Sequence, residues 1–133
     1  MKLFYTVPSI IVCSLSAQAA VPSDLQQTFE NYIALAREIE PILAGATDKQ
    51  TADDSALALY DILPKVYEAR TVLQKIENLT PELQAELVEK YGKTMQTEWG
   101  KVYEQIFRLE KVNCYHSLSF FKQFRALCMM LQQ

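Results

Sequence analysis

The sequence predicts an all-α fold, an antiparallel up-down four-helix bundle with unequal helices: a long third and a short fourth. Three observations predict it. Apolar residues recur at three- and four-residue steps in four separate segments, the period of one helix face. Helix-start chemistry precedes each segment. The 133 residues contain only three glycines, Gly45, Gly92 and Gly100, too few for a turn-rich β fold. Short connections between the segments favour antiparallel neighbours.

The first nineteen residues stand apart as an export signal. Lys2 supplies the positive charge, Leu3 to Ser16 a mostly apolar run, and Ala17-Gln18-Ala19 a small-x-small site for cleavage between Ala19 and Ala20. That run, about fourteen residues with Pro8 inside it, is shorter than the roughly 20 residues a spanning helix needs. A lipoprotein signal would place Gly, Ala or Ser before its cysteine, and Val12 before Cys13 departs from that. An exported bacterial protein, periplasmic or secreted, is therefore expected. Of 133 residues, removing 19 leaves 114 in residues 20–133, one domain with a single core. Losing Lys2 from 13 basic residues, against 16 acidic ones, takes the net charge from −3 to −4. A mildly acidic surface offers no electrostatic reason to bind nucleic acid.

The first helix is expected over about 24–44. Ser23 with Gln26 fits a capping box, and Leu25, Phe29, Tyr32, Ala36, Ile39 and Leu43 recur at steps of 4-3-4-3-4. Gly45 ends it, and Pro41 is expected to bend or fray its last turn. The second, about 52–78, starts at Thr51 with Asp54 and buries Ala56, Leu59, Leu63, Val66, Leu73 and Ile76, with a kink near Pro64. The third, about 81–112, starts at Thr80-Pro81. At 1.5 Å per residue it would be roughly 48 Å long. Its stripe is Val88, Tyr91, Met95, Trp99, Val102, Ile106 and Leu109, at steps of 3-4-4-3-4-3. The extra four-step is a stutter, flanked by Gly92 and Gly100. Part of so long a helix is expected to project beyond the bundle or pack against another chain. Residues 113–117 read as a turn. Ser117 caps the fourth helix, about 117–131, whose Phe120, Phe121, Phe124, Leu127, Cys128 and Leu131 share one arc.

Catalytic chemistry needs converging groups, and the sequence offers none. His116 is the single histidine and falls in a turn, where histidine suits left-handed backbone. It cannot supply the paired Glu-x-x-His of a di-iron bundle, and Cys-x-x-Cys-His is absent. Carboxylates such as Glu38 and Glu40, Asp53 and Asp54, and Glu86 and Glu89 are spread along helix faces. Asn78-Leu79-Thr80 matches a glycosylation sequon but is followed by Pro81. No enzyme activity, metal or cofactor is expected. An exported pair, Cys114 and Cys128, invites a disulfide. The pair is three turns apart along the fourth helix, which disfavours that bond within the chain. The alternatives are a core residue at Cys128, with Cys114 a turn residue, a free thiol or an intermolecular disulfide.

The candidate interaction surface is Leu118, Met129 and Met130 on the fourth helix, with Tyr60 and Tyr67 seven residues apart on the second. It suits an unidentified protein partner, self-association or contact with a membrane surface that the chain does not span. A protein-binding or scaffold role is the expectation, with a chaperone-like or envelope-stress role as the alternative. Leu79-Thr80-Pro81-Glu82-Leu83-Gln84 is similar to the Leu-Thr-x-x-Gln helix starts of small periplasmic helical chaperones of the Spy type, with Leu83 in the glutamine position. That resemblance implies holding of unfolded proteins. In size and architecture the chain also resembles the exported four-helix b-type cytochromes. There the resemblance implies Met/His ligation, for which Met95 or Met129 with His116 would have to serve, since the first helix has no methionine. Over its whole length it resembles short exported all-helical bacterial proteins without known activity.

Overall fold

The computed structural model describes residues 21–77 and 79–132, and all of their regular structure is helical. The expected cleavage site at Ala19 and Ala20, Cys13, and Asn78 of the sequon lie outside the described residues. The elements are α1 (Ser23–Ala44), α2 (Lys49–Gln74), α3 (Pro81–Leu87), a π-helical turn (Val88–Gly92), α4 (Lys93–Lys111), a short turn (Asn113–His116) and α5 (Leu118–Gln132). Backbone angles stay helical from α3 through the π turn into α4, so these three form one rod. Among the described residues no helix is long and apolar enough to cross a membrane.

Local chemistry explains the helix starts, with two shifts from expectation. α1 is capped by Pro22 without a side-chain bond, and Gln26 turns back to donate to the Val21 carbonyl at 3.2 Å. Ser23 is therefore the first helical residue and no capping box forms, because the proline carbonyl already starts the helical ladder. The cap of α2, Asp48, lies three residues before Thr51. It accepts the Thr51 N–H at 2.8 Å, while the Thr51 hydroxyl accepts the Asp48 N–H at 2.9 Å. This reciprocal box satisfies two donors, where Thr51 as cap would satisfy one. Thr80 caps α3 as expected, accepting the Leu83 N–H at 3.1 Å. Helical assignment runs unbroken through Pro41 and Pro64.

The expected stripes form most of the core, with Leu25, Ile76 and Met95 half-buried against it. Phe29, Tyr32, Ala36, Ile39 and Leu43 of α1 are buried, and so are Ile33 and Leu35, because α1 faces two neighbours. Its main packings are with α2 and α4, while α5 packs on α2. Glu38 meets Lys65 and Tyr32 meets Arg70, so α1 and α2 run oppositely. Glu30 meets Tyr91, Glu40 meets Gln105 and Leu43 meets Arg108, so α1 and the α3–α4 rod run the same way. α5 begins beside Asp53 in the first turns of α2 and packs along it. α4 and α5 meet mainly through the turn between them. Phe121 departs from the expected arc and is exposed, while Phe120, Phe124, Leu127 and Leu131 are buried. It lies at the arc's edge, on a helix that has no neighbour packed closely along that side.

Two aspartates make hydrogen bonds that need their charge, Asp48 within the start of α2 and Asp53 across to the start of α5. The Thr51 N–H holds Asp48 below its ordinary 3.8. The Ser117 hydroxyl, which also caps Phe120 of α5, does the same for Asp53, with Lys49 and Ser119 adding to it. A carboxyl lowered on folding stabilises the fold above its unfolded pKa, and that contribution is lost as pH falls through the lower folded value. Stability is therefore expected to fall between about pH 5 and about pH 2. Melting temperatures across that range should drop less steeply for Asp53→Asn than for the parent. An equally steep profile would separate Asp53 from the acid transition.

Candidate functional site

The stutter in the third stripe is where the structure departs most from a plain bundle. The stripe was expected to enter at Val88, but the structure buries Leu87 and leaves Val88 half-buried, so Leu87, Tyr91, Met95 and Trp99 follow at three steps of four. Each step overshoots a full turn by about 40°, so on an ideal α-helix they would drift by about 120°. The π turn at Val88–Gly92 winds more slowly and absorbs part of the first step, from Leu87 to Tyr91. Tyr91 and Trp99 both reach α1, at Phe29 and Tyr32.

There they form two ring pairs. Phe29 stacks on Tyr91 with centroids 5.7 Å apart, and Tyr32 stacks on Trp99 at 4.5 Å. Phe29 and Tyr32 are separated by three residues, about 4.5 Å of helix rise; Tyr91 and Trp99 by eight, about 12 Å. The rings on the rod therefore stand further apart than those on α1, and the space between them stays open beside Met95. The result is a groove of about 700 Å³ along the rod, from Leu87 to Tyr103. Gly92, Gln96 and Gly100 form one wall row, and Lys93 stands at the rim. Half-open apolar clefts of this size are where small ligands bind, and π turns occur often at functional sites.

The polar groups here are committed or neutral. The Trp99 Nε1–H donates to the Tyr32 carbonyl at 3.1 Å. Burial raises the Tyr32 phenol above its ordinary 10, although Arg70 opposes the shift. Burial and the neighbouring Glu30 carboxylate, which accepts the Tyr91 O–H at 3.0 Å, raise Tyr91 as well. Neither tyrosine is poised for acid–base work at neutral pH. Among the described residues no group of His, Cys, Asp and Glu is placed to hold a metal. The smaller space between α1 and α2, about 430 Å³, is walled by Glu38, Lys65 and Glu68 and is less apolar.

The structure does not bring the sequence-derived surface residues to this groove. Leu118 is 83 % exposed and Met129 56 %, on the outer side of α5, and Tyr60 and Tyr67 stand 58 % and 60 % exposed on α2. Met130 departs from expectation: it is half-buried and packs against the core. A residue one position from Met129 lies about 100° round the helix, which turns it inward. The groove was missed because its walls come from helices some sixty residues apart. Its trace in the sequence is the stutter with a glycine on either side.

His116 lies in the turn as expected. Asn113, Cys114, Tyr115 and His116 all take positive φ, from 51° to 62°. Such backbone costs a non-glycine residue about 1–2 kcal/mol, so the turn is strained and its surroundings must hold it. Cys114 is buried at 1 % exposure, and both it and half-buried Cys128 are free thiols. An intermolecular disulfide at Cys114 would therefore require the turn to open. Burial pushes both thiols up to about 11, with the Cys128 and Glu110 charges adding for Cys114 and Glu110 for Cys128. Alkylation by iodoacetamide at neutral pH is expected to run on the order of a hundredfold slower than for an open cysteine, and to become fast in denaturant. Rapid labelling of the native protein would contradict this burial.

Gly100 supports a third expectation. A Cβ there would meet nothing within 4 Å, and the residue lies inside α4. Gly100→Ala should therefore raise stability by about 0.5–1 kcal/mol, read from urea unfolding. A loss would mean that the glycine serves the fold.

Comparison with known proteins finds no matching family model, no similar curated protein and no similar solved structure.

Proposed function

We propose that this protein is an exported binding module without catalysis of its own, which takes up an apolar ligand in the aromatic groove. Its four helical rods, alternating up and down along the chain as a bundle, serve as the frame. The observation that carries this reading is the groove: about 700 Å³, half open, walled by five aromatic rings and set over a π turn. Trp99 lines it and is the single tryptophan of the chain, so it reports occupancy directly. Titration with the neutral probe N-phenyl-1-naphthylamine should quench Trp99 emission and saturate at one probe per chain. A linear, non-saturating response would remove the groove as a binding site.

A protein-binding or scaffold role is the second reading. It is favoured by the exposed apolar side chains on α5, Leu118, Phe121 and Met129, with Tyr60 and Tyr67 on α2. If this surface drives self-association, light scattering should give a mass that rises with concentration, and Leu118→Ser with Met129→Ser should abolish the rise.

A further inference from the structure

The groove's charge and shape narrow its occupant. We infer that the ligand is a single-chain amphipathic anion: an unbranched acyl chain lying along the rod, with its carboxylate held at Lys93. This rests on the groove being the binding site proposed above and adds the class of ligand.

Charge is the first argument. Among the described residues Lys93 is the single charged side chain lining the groove, and no carboxylate lines it, in a chain with 16 acidic and 13 basic residues. Lys49, Lys65 and Lys101 each lie within 4 Å of a carboxylate. Among the described residues Lys93 has no such partner, nor do Lys75, Lys90, Lys111 and Lys122, but of these lysines Lys93 is the one that lines the groove. Gln96 lies three residues on, hence on the same face, and adds an amide donor. An apolar trough with one cation and one amide at its rim complements a ligand with one anionic end.

Shape is the second. The lining runs from Leu87 to Tyr103, roughly 24 Å along the rod. Tyr91, Met95, Trp99 and Tyr103 line it at four-residue spacing, and beside them Gly92 and Gly100, one turn to either side of Gln96, carry no side chain to fill the trough. A half-open trough of that length can follow a linear chain along the rod.

Gly100 is the third. Alanine would favour the helix, and the fold leaves room for its Cβ. The packing gives no steric reason for a glycine here. Free width above the channel gives one.

Calorimetry with decanoate, 1-decanol and 2-naphthoate tests this on the full chain. Decanoate should bind one to one, about fivefold more tightly than decanol, the worth of one rim ion pair. Lys93→Met should erase that preference. Gly100→Leu, which fills the channel, should weaken both ligands by roughly tenfold or more, with helicity and melting temperature retained. Decanol binding as well as decanoate, or a preference that survives Lys93→Met, would overturn the anionic end and leave the groove as an apolar site. Tighter binding of 2-naphthoate would replace the chain by a planar ring. Decanoate binding untouched by Gly100→Leu would place the ligand elsewhere. If none of the three binds and N-phenyl-1-naphthylamine does not saturate, the groove reading falls as well.

Discussion

Phe120→Ala is expected to destabilise the protein by about 4 kcal/mol, close to the limit for one core substitution. The ring is fully buried, stacks on Phe124 at 6.1 Å, and anchors α5 at the turn where the chain reverses. Few packed neighbours are free to fill the space, because α5 rests mainly on α2. The loss combines removed apolar transfer with a cavity that cannot fully collapse. Phe121→Ala is the matched comparison: the same deletion one position along, on an exposed ring, should cost under about 1 kcal/mol. Urea midpoints at unchanged m-value read both. Similar losses at the two positions would mean that the outer side of α5 is covered in solution, which favours the scaffold reading.

Removing the Arg108 side chain should cost about 3 kcal/mol and lower the melting temperature by roughly 10 °C. Its guanidinium closes one corner of the fold. Nη2 donates to the carbonyls of Leu43 at 2.9 Å and Ala46 at 3.1 Å, past the end of α1. Nη1 donates to the Tyr115 hydroxyl at 2.9 Å, and Nε to Gln105 at 2.8 Å. Arg108→Ala therefore leaves the buried Ala46 carbonyl without this donor and releases Tyr115 from the left-handed turn. Unmade bonds to buried backbone cost more than the bonds are worth net. Arg108→Lys should recover less than half of the loss, since a point-charge ammonium cannot span the same four acceptors. Thermal unfolding followed by circular dichroism measures both variants. Full rescue by lysine would reduce the corner to a charge effect.

Arg108 also shows the limit of reading the sequence. At its position it was one basic residue near a helix end, where charge favours the dipole. Nothing local pointed to Ala46, more than sixty residues away. Cys114 is similar: a residue in a polar turn reads as exposed, and the tertiary fold buries it. Met130 and Phe121 exchanged their expected places because a wheel gives relative angles, whereas neighbouring helices decide which angles are inside. By contrast, Thr80-Pro81, Ser117 and the stripes of α1 and α4 formed as expected, since caps and periodicity act within one or two turns.

The sequence by itself determined where α3 and α5 start, which face of most helices is apolar, and that the third stripe slips by one four-step at Met95. These follow from contacts three or four residues apart. The tertiary structure alone decided that a π turn precedes the slip, that the α3–α4 rod lies along α1 in the same direction, and that the two ring pairs leave a groove between them. Those outcomes depend on the relative register of two helices distant in the chain. Register is set by how whole surfaces pack, and no short window of sequence contains that.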